Sequence, residues 1–255
     1  MEKEIITAEK QELIEKSAEL IAIKGRLVDA TPLVKQPVNL LLQNFIRTKQ
    51  AEAFSLRLPL DRSVNTVVKR SWDLLFSTIV IAGILSWLIP LIALAIKIDS
   101  KGPVFFLQKR NKRNGGIFTC IKFRSMIINE EADTSAATVD DNRITRLGKF
   151  LRNHYLDELP QFFNVWWGDM SLIGPRPHMI HDNIKYEELI EYYDYRHRAK
   201  PGITGLAQVL GYVGEITNIQ RMKDRVQLDI YYIRHWSLKI DARIFFRTFL
   251  RVLGL

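Results

Sequence analysis

Cysteine is nearly absent: Cys120 is the only one in 255 residues. An internal disulfide is therefore excluded, and the composition fits a reducing compartment. Histidine is scarce too. Of the five present, His178 and His181 stand three apart with no cysteine near them, so a zinc site is not expected. The N-terminus, Met1-Glu2-Lys3-Glu4, is too charged to open a cleavable signal peptide. Acidic residues are in deficit, 28 against 37 Lys and Arg, which leaves a formal charge of +9 on a chain that is 47% hydrophobic. Basic and apolar together favour an anionic membrane surface or phosphorylated substrates over nucleic acid.

Charge is missing altogether from Leu74 through Ile96. About 20 apolar residues suffice to cross a bilayer as a helix, so residues 68–98 are expected to enter the membrane. Lys69 and Arg70 precede the stretch; Lys97, Lys101, Lys109, Arg110, Lys112 and Arg113 follow it. Positive charge marks the cytoplasmic side, and here both flanks carry it. Pro90 interrupts the run, with Ser86 four residues earlier able to satisfy a freed backbone group. A re-entrant hairpin with both ends cytoplasmic explains both observations. A plain span kinked at the proline is the alternative.

Ahead of it, residues 1–67 read as an amphipathic helical extension, with Leu13, Ile14, Ala18 and Ile21, then Val38, Leu41, Leu42 and Phe45 at helical spacing. Behind it, residues 99–255 alternate short strand-like and helical segments. Val104–Gln108 and Ile117–Ile121 flank a basic turn and form a hairpin that places Lys122 and Arg124 on one side and Phe123 on the other. The fold class is α+β and mostly helical: a membrane-inserted helix, a compact domain with a short β-hairpin, and amphipathic helices. In the last of these Arg243, Arg247 and Arg251 fall four apart against Ile244, Phe245, Phe246 and Phe249. That pattern suits a helix lying in the membrane interface, or one packed on the core with a solvated basic face.

Asp157-Glu158 is the focus of the chain. Asp157 is placed to cap a helix whose first turn holds Pro160, where the macrodipole would keep a carboxylate ionised. Such a group can act as nucleophile or metal ligand. Downstream, Pro175-Arg176-Pro177 holds an arginine between two rigid residues, which suits bidentate recognition of phosphate. Pro201-Gly202-Ile203-Thr204-Gly205 is a glycine-punctuated loop whose N–H groups are candidates to cradle an anion.

Five segments in this order resemble a known family: Lys-Phe-Arg-Ser-Met (122–126), Asp141 to Gly148, Leu-Asp-Glu-Leu-Pro-Gln (156–161), Asn164 to Pro177, and Pro-Gly-Ile-Thr-Gly-Leu-Ala-Gln-Val (201–209). The chain is similar, over about residues 68–255, to the bacterial sugar transferases, the monotopic polyprenyl-phosphate phosphoglycosyl transferases. Larger members carry extra membrane helices where this chain has the 1–67 extension, so nothing about that extension follows from the resemblance. Trp166-Trp167 is a departure to which no functional change is attached.

The resemblance implies a reaction. A sugar 1-phosphate would pass from a UDP-sugar to polyprenyl (undecaprenyl) phosphate with release of UMP, as the first membrane step of exopolysaccharide or lipopolysaccharide assembly. Asp157 would be the nucleophile of a covalent phosphosugar–enzyme intermediate. Mg²⁺ would be held by Asp157 and Glu158. The helix would be re-entrant, broken around Ser86 and Pro90, and the catalytic domain would sit on the cytoplasmic face of the bacterial inner membrane. Arg152 and Arg176 are the first candidates to clamp phosphates, with Lys122, Arg124 and Arg198 next. Expected partners are the two substrates, membrane lipids, and a second copy of the chain or other glycan-assembly proteins; nucleic acid is not expected. Two rival readings are a non-catalytic adaptor that binds anionic lipid and another Mg²⁺-dependent glycosyltransferase or phosphatase acting on a lipid phosphate. No motif specifies the sugar.

Overall fold

A computed structural model describes residues 57–128, 141–214 and 218–252. The extension expected over 1–67 lies outside the described residues as far as residue 56. From Ser63 to Asp99 the chain is one unbroken helical stretch of 37 residues, long and apolar enough to cross a membrane. It comprises α1 (Ser63–Val80), a π-helical turn (Ile81–Leu85) and α2 (Ser86–Asp99). In the π turn the Ser86 N–H donates to Ile81 O rather than Ala82 O. Ala82 O would be left without a donor, and the Ser86 hydroxyl supplies one at 2.7 Å. Sequence reasoning assigns that hydroxyl to a carbonyl freed by Pro90. The structure corrects this: the carbonyl Pro90 frees is that of Ser86 itself, four residues back.

Both halves of this helix are fastened to the domain that follows. In α1, Lys69 pairs with Asp241 at 2.7 Å, Asp73 accepts from the Ser171 hydroxyl and the Leu172 N–H, both at 2.9 Å, and Arg70 donates to Val165 O and Trp166 O. In α2, Ile92 and Ile96 pack with Phe123 and Leu151 in one buried cluster. Between these anchors Leu75, Ile79, Ile84, Trp87 and Leu91 are exposed.

The helix hands over to an antiparallel hairpin, β1 (Phe105–Asn111) and β2 (Ile117–Phe123), paired from Phe105 with Phe123 to Asn111 with Ile117. The positive φ of Asn114 and Gly115 turns the chain between them. Next come α3 (Arg146–Asn153), capped by the Thr145 hydroxyl, a short 3-10 turn (Leu156–Glu158), and α4 (Gln161–Trp167). A parallel strand pair joins β3 (Ser171–Ile173) to β4 (Gly202–Thr204), which lie on either side of α5 (Ile180–Leu189) and a 3-10 stretch (Tyr193–Arg198). The chain closes with α6 (Leu206–Val209), α7 (Ile219–Arg234) and α8 (Leu238–Val252). On α8, Asp241 and Ile244 are buried. Phe245 lies 5.1 Å from Phe76 of α1, ring centre to ring centre, and Phe246, Phe249 and Val252 are exposed.

The glycine loop has a packing role. Gly202 N–H donates to Pro175 O, and Gly174 N–H donates to Thr204 O. A Cβ on Gly174 would stand 2.3 Å from Lys200 O, and one on Gly205 would stand 2.2 Å from Gly174 O. These glycines let two backbones touch, and the Gly202 N–H, one of those expected to cradle an anion, is spent holding the Pro-Arg-Pro loop in place.

Candidate active site

Asp157 lies at a cleft of about 610 Å³ bounded by the hairpin, the Leu156–Glu158 turn, the Pro-Arg-Pro loop and the start of α5. Tyr155 precedes the turn with φ of 57°, in the left-handed region, and reverses the chain out of α3. The expected cap is not formed: Pro160 is the N-cap of α4, and Asp157 sits three residues ahead of it without a capping hydrogen bond. The backbone had to turn at Tyr155, which a propensity argument over Leu156–Gln161 does not foresee.

The two acidic neighbours differ sharply. Glu158 is clamped: Lys122 Nζ reaches Oε1 at 2.8 Å, and Arg176 grips both oxygens, NH1 to Oε2 at 3.0 Å and NH2 to Oε1. Burial opposes its ionisation, but Arg176 and Lys122 outweigh that and hold it well below the usual carboxylate range. Asp157 is also buried, and its carboxylate has no hydrogen-bond partner among the described residues. Burial pushes its pKa up. Lys122, Arg152 and Arg176 pull it back, while Glu158 adds to the rise. The helix dipole invoked from sequence is thus replaced by burial working against three cations.

Of the expected phosphate clamps, Lys122, Arg152 and Arg176 line the cleft with Asp157. Arg152 is lightly held, by the Ser125 hydroxyl at 3.4 Å. Two expectations need correction. Arg124 borders the cleft, but its guanidinium donates to Ser100 O at 2.8 Å and to Lys101 O, tying β2 to the end of α2. Arg198 is elsewhere, 3.4 Å from Asp61. The carboxylate pair expected to share Mg²⁺ is also unequal. Both Glu158 oxygens are committed to cations, which leaves Asp157 as the available ligand.

Sequence reasoning passes over Arg110, His178 and Arg225, which all line the same cleft. Arg110 sits inside a basic run that reads as a solvated turn, and Arg225 in a charged helical stretch. A strand and a helix more than a hundred residues apart bring them together, and no local spacing signals it. His178 is buried, with the Tyr193 hydroxyl 2.6 Å from Nδ1 and Arg196 on the same nitrogen. Burial and the surrounding arginines push its pKa well below 6.5, so the ring is neutral. Arg196 also donates to Arg176 O at 2.7 Å and to Asp229 at 2.9 Å, bracing the Pro-Arg-Pro loop from behind.

The sequence model of the family described as bacterial sugar transferase matches residues 64–254. The chain is 49% identical over 191 residues to a UDP-glucose:undecaprenyl-phosphate glucose-1-phosphate transferase of Xanthomonas campestris pv. campestris, covering 74% of this chain and 39% of that protein. A protein of the same name from Caulobacter vibrioides is 42% identical over 191 residues, covering 74% of this chain and 71% of that one. A UDP-N-acetylgalactosamine-undecaprenyl-phosphate N-acetylgalactosaminephosphotransferase of Aeromonas hydrophila is 41% identical over 192 residues, covering 74% and 44%. The chain thus spans well under half the length of the first and last of these relatives.

Proposed function

The chain belongs to the bacterial sugar transferase family, and from that premise we propose that it moves a sugar 1-phosphate from a UDP-sugar to a polyprenyl phosphate. The observation that carries this reading is the Asp157 carboxylate, without a hydrogen-bond partner among the described residues, at a cleft where the neighbouring Glu158 is held by Arg176 and Lys122.

In the first step an Asp157 carboxylate oxygen attacks the β-phosphorus of the donor. The bond from that phosphorus to the bridging oxygen breaks, and its electron pair leaves with UMP. In the second step an oxygen of the polyprenyl phosphate attacks the same phosphorus and Asp157 departs as carboxylate. Two steps avoid bringing two anionic substrates together at once. Lys122, Arg152 and Arg176 offset the charge on the transferring phosphoryl group. Glu158 acts by positioning Arg176 and Lys122. Mg²⁺ is generally bound through one or two carboxylates plus substrate phosphates; here Asp157 fits that role, and the ion would neutralise phosphate charge.

UDP-glucose is the first donor to test and UDP-N-acetylgalactosamine the second, following the names of the relatives. Release of UMP that requires polyprenyl phosphate is the expected result. Inorganic phosphate as product would favour a phosphatase, and no product with any donor would favour a lipid-binding adaptor.

The acid form of Asp157 cannot attack, so the rate of UMP release falls as pH drops through its raised pKa. Lys122 lowers that pKa; Lys122→Met is therefore expected to move the acid limb of the pH–rate profile to higher pH. A limb that stays in place would assign the titration to another group.

The membrane helix is proposed to be re-entrant. Anchors at Lys69 and Asp73 and at Ile92 and Ile96 meet one domain, whereas 37 residues of straight helix would extend about 55 Å, well beyond the ~30 Å hydrocarbon core. The π turn and Pro90 lie between the anchors, where a bend would be made. Cysteines introduced as Arg62→Cys and Lys109→Cys should react with an impermeant maleimide from the same side of sealed vesicles. Labelling from opposite sides would establish a span.

A further inference from the structure

Four arginines lining the cleft make no ion pair among the described residues: Arg110, Arg124, Arg152 and Arg225. Glu158 pairs with both Arg176 and Lys122, and Asp141 pairs with Arg143. Arg124 is spent on the Ser100 and Lys101 carbonyls and Arg152 acts on Asp157, which leaves half-buried Arg110 and buried Arg225. Arg110 donates to Pro177 O at 2.7 Å and to the Gln108 side-chain oxygen, and Arg225 donates to Tyr212 O at 2.8 Å and, more weakly, to Gly214 O. Arg225 NH1 also lies 3.4 Å from His178 Nε2. The acids that act on Arg110 are Asp182 and Glu158, and on Arg225 Asp229; Asp229 already pairs with Arg196 and Glu158 with Arg176, so Asp182 is the one carboxylate that offsets part of the charge on Arg110. Burial and crowding by Arg176 and Arg196 bring Arg225 down to about 10. Holding guanidiniums out of water without an ion pair of their own is costly, and a cleft where they outnumber the carboxylates suits an anionic ligand.

Position indicates which anion. The cleft has an apolar side, where Leu107, Ile127 and Ile128 are exposed beside the turn that leaves α2. Phe105, at the membrane-helix end of β1, stacks on Phe123, which packs with Ile96 of α2. Arg110 is five residues further along the same strand, about 16 Å at the usual rise. It is joined there by Arg225 of α7 and by His178, all remote from the lipid side. On the reading proposed above, we infer that Arg110 and Arg225 form the subsite for the α-phosphate of the nucleotide, the phosphate that leaves with UMP. The acceptor phosphate then enters from the apolar side, and the β-phosphate lies between, over Asp157. In this arrangement Arg110 and Arg225 bind the donor and stabilise the leaving group, without contact to the lipid acceptor.

The test uses the full-length protein in detergent or nanodiscs with UMP as probe and uridine as the control lacking the phosphate. Arg110→Gln and Arg225→Gln are each expected to weaken UMP binding about tenfold or more, because a charge-assisted hydrogen bond is removed. Binding of uridine and the kcat/KM for polyprenyl phosphate should stay within twofold of wild type. If the Gln change at buried Arg225 abolishes cooperative melting, Arg225→Lys replaces it; loss of the planar fork should still weaken UMP binding at least threefold. Unchanged UMP affinity in folded variants overturns the inference, as does a lowered kcat/KM for polyprenyl phosphate with UMP binding intact. Failure of the wild type to release UMP from any UDP-sugar is a different result: it refutes the proposed reaction, whereas a wild type that turns over and variants that still bind UMP refute the subsite alone.

Discussion

Asp157→Asn is expected to lower UMP release to less than about a thousandth of the wild-type rate, since removing a nucleophile leaves only what binding and electrostatics supply. The substitution keeps the volume of the side chain and removes its charge. Because Asp157 has no hydrogen-bond partner among the described residues, the change breaks no contact of the native fold. Burial raises its pKa, so the neutral amide removes a desolvated charge and the variant should melt at the wild-type temperature or above it. Two measurements separate this from loss of structure. Intact-protein mass after incubation with donor alone should reveal a sugar-phosphate adduct on the wild type and none on the variant, and both should remain in the membrane fraction. A variant that keeps its activity would exclude Asp157 as nucleophile and turn attention to direct attack by the acceptor phosphate.

Asp241→Ala should produce the largest loss of stability. One carboxylate accepts from Lys69 Nζ at 2.7 Å, the Tyr232 hydroxyl at 2.8 Å and Trp236 Nε1 at 3.0 Å, all buried. Truncation leaves an ammonium and an indole N–H without that acceptor in the interior, while the Tyr232 hydroxyl keeps Ile173 O at 3.1 Å. Breaking a buried pair by removing one partner costs about 3–5 kcal/mol. At roughly 2–4 °C per kcal/mol for a domain of this size, the melting temperature should fall by about 6–20 °C. The same contact joins α1 to α8, so protease sensitivity should appear first at those two helices. A fall of a degree or less would mean that Lys69 finds water on truncation and that the pair is not buried in the membrane-bound protein. Lys69→Met in the Asp241→Ala background should recover part of the loss by removing the stranded charge, a coupling that only contacting residues display.

Much of the molecule was legible in order along the chain. The uncharged stretch from Leu74 to Ile96 announces the apolar helix, since no other structure hides so many apolar residues in so short a length. Two strand-like runs around a basic turn announce the hairpin. Lys122, Arg152 and Arg176 are recognisable as partners of Asp157-Glu158 through motif order, and the structure gathers all three at one cleft. Arg124 and Arg198 illustrate the limit of that reasoning. An arginine two residues from a site residue is a plausible clamp until its guanidinium is found on the carbonyls of Ser100 and Lys101, and Arg198 carries no local mark that it faces Asp61.

What the sequence alone determined were the properties held within one element or one motif: the membrane-seeking helix, the excess of positive charge, and the Asp157-Glu158 pair. The tertiary structure decided how charges from distant elements are paired. It gave Glu158 to Arg176 and Lys122, left Asp157 without a hydrogen-bond partner among the described residues, and brought Arg110 and Arg225 into one cleft without an ion pair there. The physical reason is that helical and strand periodicity are encoded by neighbours in the chain, whereas the ionisation and reach of a buried charge depend on which distant groups share its low-dielectric surroundings.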